Sequence, residues 1–429
     1  MNIYNWDIVY ANSIQAINKQ LKNYMEENKI TFTFNDENIY AELTFDNWEI
    51  TEGGSGKLLR IKTPVKSGFL DYLGQKIKLD EICPLLEIQL DFINDNINSN
   101  IKNLTFNFKS KGIQQGDKSD GAITIIETDL NNKFTSNSIV YTILNIILAD
   151  MFIKNKSKIT YIFAKMNVNS NVHWMQPKKY MYSYYTPTNS KKDGLLIIFS
   201  VVTDRDISNL KPDIDGKVLD NNNDVFLLLS ENLFLKNIIM PELPKLFSNN
   251  TTSQHFKFKE TSLISGEIEN NKNINCGSVR WGLTDYYPII TNLNIKIEGN
   301  RLHMKILGKC DITGLANSYI TFDIETKNTF YFNEINKKIE FKPDNNPIIK
   351  YQRHIPWWIW LTLIIIPISE LILHFVTNDI TNTIARNVKI DANSYIGELS
   401  TEILEWNGMS KSNISDCLLD VLFCIKGKI

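Results

Sequence analysis

The stretch LNIKIEGNRLHMKI, residues 293–306, contains two alternating runs on either side of a short polar turn. Alternation of apolar and polar residues with a period of two is typical of a β-strand that buries one face. The Gly-Asn pair between the runs suits the tight turn of a hairpin. The stretch therefore predicts an antiparallel hairpin with one apolar face, made of Leu293, Ile295 and Ile297 on one strand and Leu302, Met304 and Ile306 on the other.

The same alternation recurs in both halves of the chain. Residues 319–326 predict one further strand, and residues 85–92 and 104–109 predict two more. In these last two strands the apolar positions are Leu86, Ile88, Leu90, Phe92, Leu104, Phe106 and Phe108, and the polar positions are Glu87, Gln89, Asp91, Thr105, Asn107 and Lys109. We therefore expect a long antiparallel meander with one face on a core and the other face in solvent.

Four helical segments interrupt the strands at similar intervals in the two halves. The first is expected over residues 7–26, because its apolar residues recur every three or four positions. The second begins near Ser136 and is apolar almost all round, so it should be well covered. The third opens at Ser230 and is expected to stop at Pro241, and the fourth begins at about Pro356. The order helix, meander, helix thus occurs twice.

This repeat predicts an α+β fold: an elongated tandem of two modules, each with a long bent antiparallel sheet wrapped on long helices. The first module is expected over residues 1–160, and connecting strands over residues 161–229. The second module is expected over residues 230–390. Residues 391–429 then form a C-terminal extension that packs on the body.

Composition excludes some classes of protein. The chain has 429 residues, 43% of them hydrophobic and 22% charged, with a net charge of −2. Such a balance gives no overall field for nucleic acid, so no nucleic-acid partner is expected. The five cysteines are scattered, and we expect them to be reduced. No basic segment precedes an apolar run at the N-terminus, so we expect synthesis in the cytoplasm without a Sec-type signal peptide.

The most apolar passage is PWWIWLTLIIIPISELILHF, residues 356–375. Its uncharged part is shorter than the about 20 residues that a membrane span needs. We favour a helix buried by its own sheet, kinked at Pro367, with Glu370 on its polar side. Two alternatives stay open: a helix that lines a lipid groove or docks on a membrane, and a true span. Trp357, Trp358 and Trp360 are the candidates for an interfacial contact, because indoles favour interfaces.

Sequence motifs for catalysis and metal binding are incomplete. GGSGK at residues 53–57 lacks the spacing of a phosphate-binding loop and predicts a glycine turn between strands. Asp213, Asp215, Asp220 and Asp224 do not match a calcium loop, because the glycine that should be sixth falls fourth. The five histidines show no pair at metal-ligand spacing. We expect no catalytic residue, no metal and no cofactor.

A tyrosine-rich passage follows HWMQP at residues 173–177. Tyr180, Tyr182 and Tyr184 alternate on one face of a predicted strand, with Lys178 and Lys179 beside them. Cross-strand packing in the core is the favoured interpretation. The alternative is a contact with a lipid headgroup or a protein, for which these five residues are the candidates.

Several passages together resemble a known family. NWDIVYANSIQAINKQL at 5–21, WEITEGGSGKLLRIKTPVKSG at 48–68, LLEIQLDF at 85–92, the tyrosine-rich passage and SENLFLKNIIMPEL at 230–243 are similar to the clostridial OrfX/P47 family, encoded beside botulinum-type neurotoxin genes. The resemblance covers nearly the whole chain. Its N-terminal signature is fairly specific.

The resemblance implies a fold similar to the tubular lipid-binding (TULIP-like) proteins and a non-enzymatic accessory role in the toxin cluster. The partners would be lipid or membrane, or other proteins of the cluster, and the protein would be released with the toxin complex. The alternative is a structural or chaperone-like subunit whose grooves are filled by its own side chains.

Overall fold

A computed structural model of the chain describes residues 1–186, 194–216, 222–247, 250–356, 365–382, 387–392, 398–408 and 413–428. Strands dominate these residues, and the helices are few. The α-helices are α1 Ile14–Glu27, α2 Ile139–Lys154, α3 Glu231–Phe234, α4 Ile365–Phe375 and α5 Glu398–Ile403.

The strands fall into two groups along the chain. The first group is β1 Ile8–Ser13, β2 Thr31–Asp36, β3 Ile39–Phe45, β4 Glu49–Ser55, β5 Leu58–Lys62, β6 Val65–Tyr72, β7 Gln75–Lys78, β8 Leu85–Asn94, β9 Ile101–Asn107, β10 Ser110–Lys111, β11 Ala122–Glu127, β12 Ile162–Asn167, β13 Lys179–Tyr185, β14 Leu195–Val201 and β15 Val225–Leu229. The second group is β16 Phe256–Glu260, β17 Gly266–Asn270, β18 Ile274–Asn275, β19 Val279–Trp281, β20 Thr284–Tyr286, β21 Ile289–Glu298, β22 Arg301–Asp311, β23 Tyr319–Asn333, β24 Lys338–Lys342, β25 Ile348–His354, β26 Ile390–Asp391, β27 Leu404–Trp406, β28 Asn413–Asp420 and β29 Leu422–Lys428.

The chain divides into two compact units, each built from three segments. The 9–227 unit, named for its longest segment, comprises Val9–Leu227, Leu399–Asn413 and Gly427–Ile429. The 228–398 unit comprises Met1–Ile8, Leu228–Glu398 and Ile414–Lys426. The module boundaries inferred from the sequence stay a prediction.

The 9–227 unit contains an eight-stranded sheet. Six of its strands follow the order β10-β11-β8-β9-β12-β27, and the other two are β5, which pairs with β8, and β4, which pairs with β5. A four-stranded sheet has the order β2-β3-β6-β7. An aromatic cluster lies in the core of the 9–227 unit. Its members are Phe32, Phe45, Trp48 and Phe152, whose ring centroids lie 5.0–6.1 Å apart.

The expectation that one face of β8 is in solvent is wrong. Glu87 and Gln89 are buried, because the loop that precedes β11 returns over them. The Gln89 amide donates to the Ser119 carbonyl over 2.6 Å, and Glu87 accepts from the Gly116 N–H and lies 3.6 Å from the Arg60 guanidinium. Polar positions at period two predict a solvated face, whereas here these side chains form hydrogen bonds with the loop that covers them.

The first predicted helix begins too early. Residues Ile8–Ser13 form β1, and every residue of it is buried. The helix starts only at Ile14, where the Ser13 hydroxyl accepts the Ala16 N–H over 3.2 Å as an N-cap. The helical spacing of apolar residues holds from Ile14 through Leu21. Strand β1 is buried on both faces and does not belong to the helix.

The second predicted helix is present but less covered than expected. It runs over Ile139–Lys154, with Ser138 as its N-cap. Ile139 and Ile146 are exposed, although the helix is apolar almost all round. Its burial is therefore one-sided.

The hairpin predicted over residues 293–306 is confirmed in the 228–398 unit. Strands β21 and β22 pair antiparallel, with Ile295 opposite Met304 and Glu298 opposite Arg301. Gly299 in the turn has φ +60°, a conformation that favours glycine. The sheet continues in the order β16-β17-β21-β22-β23-β24-β26, with β18 on β21 and β25 on β23.

The third helical segment continues past Pro241, contrary to the prediction. After α3 it becomes a π-helix over Leu235–Ile239 and a 3₁₀-helix over Met240–Leu246. Pro241 stands in the first turn of the 3₁₀-helix, where a missing N–H costs no internal hydrogen bond.

The apolar passage at 356–375 is only partly described. Trp357, Trp358 and Trp360, the candidates for an interfacial contact, lie outside the described residues. In α4, Ile368 and Ile372 are buried and Glu370 is exposed, as expected for an amphipathic helix on its own core. None of the helices in the described ranges has the length and apolar character to cross a membrane.

Candidate functional site

Two of the three predicted tyrosines are interior hydrogen-bonding groups. The Tyr182 hydroxyl donates to the Lys57 carbonyl over 2.8 Å and accepts from the Leu90 N–H over 2.8 Å. The Tyr184 hydroxyl donates to the Thr51 carbonyl over 3.3 Å. Burial raises the pKa of Tyr182, which keeps its hydroxyl a neutral donor. These two side chains tie β13 to neighbouring strands.

The other residues of this predicted site lie nearer the surface. Tyr180 is half-buried, with its ring centroid 4.9 Å from that of Phe92 in an edge-on contact. Burial raises its pKa, and the Asp91 charge adds to the shift. Lys179 is half-buried and Lys178 is exposed. The structure therefore does not bring the five candidates to one exposed surface.

The GGSGK sequence forms the turn predicted for it. Ser55 pairs with Leu58 across the β4–β5 hairpin, and Gly56 has φ +60°. The Gly56 carbonyl accepts the Tyr184 N–H over 2.6 Å. Its backbone is therefore used in a strand contact. Of the four aspartates that do not match a calcium loop, Asp213, Asp215 and Asp224 lie among the described residues and Asp220 does not.

Charged side chains form a network on the β21–β22–β23 sheet. The two ring nitrogens of His303 each lie 2.9 Å from a carboxylate oxygen, one of Glu298 and one of Glu325. Lys296 and Lys327 lie 2.9 and 3.0 Å from Glu298 and lower its pKa to about 2. No nucleophile belongs to this network. Within the described ranges no group of three or more His, Cys, Asp or Glu residues could hold a metal ion.

The β19–β20 hairpin of the 228–398 unit presents an apolar tip. We define the tip cluster as Trp281 and Leu283, which flank the turn and are 42% and 94% exposed. Gly282 makes the turn between Trp281 and Leu283, with φ +60°. Below the tip, Val279 pairs with Tyr286, and both are buried. The hairpin is thus anchored at its base and apolar at its end.

A second loop supports the hairpin from the side. The Thr313 hydroxyl donates to the Asp285 carbonyl over 3.1 Å, and Ile312 beside it is buried. Residues 312–318 contain no charged side chain. The hairpin itself carries Arg280 and Asp285, which face each other across its strands. The tip cluster therefore has almost no local net charge.

Apart from those on helices and on strands such as β25, the other exposed apolar side chains of the described residues lie singly in loops. Ile97, Ile113 and Ile335 are examples, and isolated residues of this kind are normal on protein surfaces. The tip cluster differs because its two large apolar side chains flank one tight turn. We therefore take it as the candidate site.

Sequence reasoning missed this site. The passage RWGLTDYYP, residues 280–288, has a glycine between two bulky apolar residues. A hairpin turn in solvent is normally polar, so an apolar turn was the available signal.

The chain is similar to known proteins along nearly its whole length. A family model described as OrfX-like, "Protein OrfX2/OrfX3/P47", matches residues 3–413. Protein P47 of Clostridium botulinum (strain Kyoto / Type A2) is 38% identical over 431 residues, covering 100% of this chain and 99% of the relative. Protein OrfX3 of the same strain is 23% identical, covering 72% of this chain and 69% of the relative.

Solved structures give the same result. The structure of P47 from Clostridium botulinum A2 matches with a TM-score of 0.89 and 37% identity, covering 100% of this chain and 98% of that one. The crystal structure of P47 of Clostridium botulinum E1 matches with a TM-score of 0.86 and 34% identity, covering 100% of both. These matches bear out the predicted α+β class.

Proposed function

The chain belongs to the OrfX-like family of OrfX2, OrfX3 and P47 proteins, and from this membership we propose that it is a non-enzymatic accessory protein of a neurotoxin gene cluster that binds membrane surfaces through the tip cluster. The names of its relatives, Protein P47 and Protein OrfX3, describe no enzymatic activity. The second candidate is a structural or chaperone-like subunit whose grooves are filled by its own side chains.

The exposure of Leu283 and Trp281 is the observation that carries the membrane proposal. Moving a large apolar side chain out of water contributes roughly 1.5–3 kcal/mol when burial is complete. Leu283 is almost fully exposed, and Trp281 is suited to the headgroup level of a bilayer. Leu283 can contribute nearly this full amount, whereas Trp281 is already more than half buried and can contribute less than half of it. The two side chains together give about 2–4 kcal/mol, which corresponds to an affinity between tens of millimolar and about 1 mM. The contact is therefore weak and reversible.

The charge of the tip decides which membranes it suits. Arg280 and Asp285 face each other, so the hairpin offers no net charge to anionic lipid. Binding that rests on apolar burial is expected to persist in neutral vesicles and to change little with salt, whereas electrostatic binding is screened.

A protein partner fits the tip cluster less well than a bilayer does. Stable protein interfaces bury about 1,200–2,000 Å² in total, far more than two side chains at a hairpin tip supply. A bilayer needs only the insertion of the tip. We therefore assign the tip to membrane, with a protein partner as an outcome that the experiment can detect.

The test is flotation with neutral phosphatidylcholine vesicles. The variant Trp281→Ser/Leu283→Ser is compared with Ile97→Ser/Ile335→Ser, which removes two apolar side chains, each almost fully exposed, from separate loops. We expect the tip variant to reduce the bound fraction at least fivefold and the control to leave it unchanged. Melting temperatures of all variants should agree within about 1–2 °C, because surface substitutions change stability little.

Two results would count against membrane binding: absence of binding by the unmodified protein, or equal loss in both double variants. Either result would favour the second candidate function, a structural or chaperone-like subunit. Native mass spectrometry with lipid extraction separates the candidates further, because a subunit with self-filled grooves should carry no lipid.

A further inference from the structure

Strand β25 is an edge strand of the sheet in the 228–398 unit. Within the described residues it pairs with β23 alone, over the register from Tyr319 opposite His354 to Glu325 opposite Ile348. Strand β22, in contrast, is paired on both sides. A strand paired on one side only presents a row of backbone N–H and C=O groups on the other, and such a row is a template for a further strand.

Apolar residues are buried on β23 but partly exposed on β25, the next strand towards the edge. Ile324 and Phe322 on β23 are 0% and 2% exposed. Their cross-strand neighbours on β25, Ile349 and Tyr351, are 39% and 42% exposed. Side chains on one face of a sheet alternate along each strand, so these four residues share the buried face. An additional strand beside β25 would extend this apolar layer.

The charged side chains of β25 itself are all basic, and on β23 Asp323 lies directly opposite Lys350. Residues 345–356 contain no Asp or Glu, and their charged side chains are Lys350 and Arg353. Lys350 lies on the face opposite Ile349 and Tyr351. Arg353 is held in place, since its Nε donates to the Ser369 hydroxyl over 2.9 Å and its guanidinium lies 5.1 Å from the Tyr351 ring.

We propose that β25 is the docking edge for an extended, acidic segment of a partner protein, which adds to the sheet as a further strand. Backbone hydrogen bonds provide the affinity, and side-chain alternation provides the selectivity. The incoming strand carries apolar residues facing Ile349 and Tyr351, and acidic residues at the intervening positions facing Lys350. This surface goes beyond the membrane proposal and uses none of its residues.

A second copy of the chain fits the edge less well. Pairing β25 with another β25 brings further Lys350 and Arg353 side chains to the edge and no acidic residue to face them. Opposite charges across strands are favourable and like charges are not. The complementary partner is therefore acidic.

The test uses a defined probe: a fluorescein-labelled, acetylated eight-residue peptide of alternating Val and Glu, with a Val and Lys peptide as its charge-reversed counterpart. Binding to the full chain is measured by anisotropy. The variant Lys350→Glu is compared with Lys305→Glu. Both substitutions place a glutamate opposite an acidic residue of β23, Asp323 and Glu325 respectively, but Lys305 is exposed on the doubly paired strand β22.

We expect the acidic peptide to bind and Lys350→Glu to weaken its binding at least tenfold. Lys305→Glu should change the affinity less than twofold, and the lysine peptide should bind at least tenfold more weakly. Hydrogen exchange should slow at residues 348–354 when the acidic peptide is present, because amides at the edge then gain partners.

Three outcomes would overturn the proposal. The first is no binding by the unmodified chain, and the second is equal affinity for Lys350→Glu. The third is a concentration-dependent dimer that protects the same amides, which would assign the edge to a second copy. Vesicle flotation of Lys350→Glu should match that of the unmodified chain, so this proposal and the membrane proposal fail separately.

Discussion

Replacing Tyr182 by phenylalanine tests how β13 is held in the 9–227 unit. The change removes one hydroxyl that makes two hydrogen bonds, to the Lys57 carbonyl and from the Leu90 N–H, each 2.8 Å long. The ring remains, so apolar packing is nearly unchanged. A buried polar group left without its partner costs about 1–3 kcal/mol. We expect Tyr182→Phe to lower the free energy of unfolding by this amount.

Tyr10 provides a matched control in the same unit. Its side chain is also buried, but its hydroxyl has no hydrogen-bond partner among the described residues. Burial raises the pKa of Tyr10, as it does for Tyr182, so both hydroxyls are neutral. Tyr10→Phe removes an unsatisfied polar atom and should be neutral or stabilising by about 1 kcal/mol.

The assay is equilibrium unfolding in urea, followed by circular dichroism, together with thermal melts. For a unit of this size a loss of 1–3 kcal/mol lowers the melting temperature by about 2–12 °C. The reasoning is refuted if both variants lose the same stability, because ring packing or general strain would then explain the loss. It is also refuted if Tyr182→Phe is as stable as the unmodified chain.

Three further predictions concern the 228–398 unit and the thiols. Ile372→Ala in α4 should cost about 2–5 kcal/mol in urea unfolding, and Ile366→Ala on the exposed face less than about 0.5 kcal/mol. Lys296 and Lys327 lower the pKa of Glu298 to about 2, so its stabilising contribution is complete above the unfolded pKa near 4.3 and is lost as pH falls towards 2. Glu298→Gln should therefore show a shallower fall in melting temperature over that acidic range. Thiol titration of the denatured, unreduced chain should find five free thiols, and a count of fewer than four would contradict this. In the folded chain the thiols should react slowly, because most of them are buried.

The regular hairpins were predictable because their alternation is local. Every second residue faces the core from Leu293 to Ile297 and again from Leu302 to Ile306, and the turn at Gly299 joins the two strands. Strand β1 was not predictable in the same way. Tyr10 and Ile14 are four residues apart, as in a helix, and only burial on both sides of Ile8–Ser13 distinguishes the strand. The boundary is set by the Ser13 cap, which a helical pattern alone does not locate.

The candidate surfaces needed long-range information. Glu87 and Gln89 carry a solvated pattern, and they are buried because a distant loop reaches them. In the same way, Leu283 is exposed at the turn of a hairpin whose base is anchored by the buried Val279 and Tyr286. Sequence periodicity reports which residues share a face, but it does not report whether another segment covers that face.

The three-segment construction of each unit has a consequence for synthesis on the ribosome. The 228–398 unit takes Ile414–Lys426, where Phe423 stacks on Phe234 with centroids 4.6 Å apart. The 9–227 unit takes Leu399–Asn413, where Trp406 pairs with Ala164. Domains commonly fold one after another as the nascent chain emerges. Here neither unit can be completed until the last of the chain leaves the exit tunnel, so a stop codon near residue 395 would leave both unfinished.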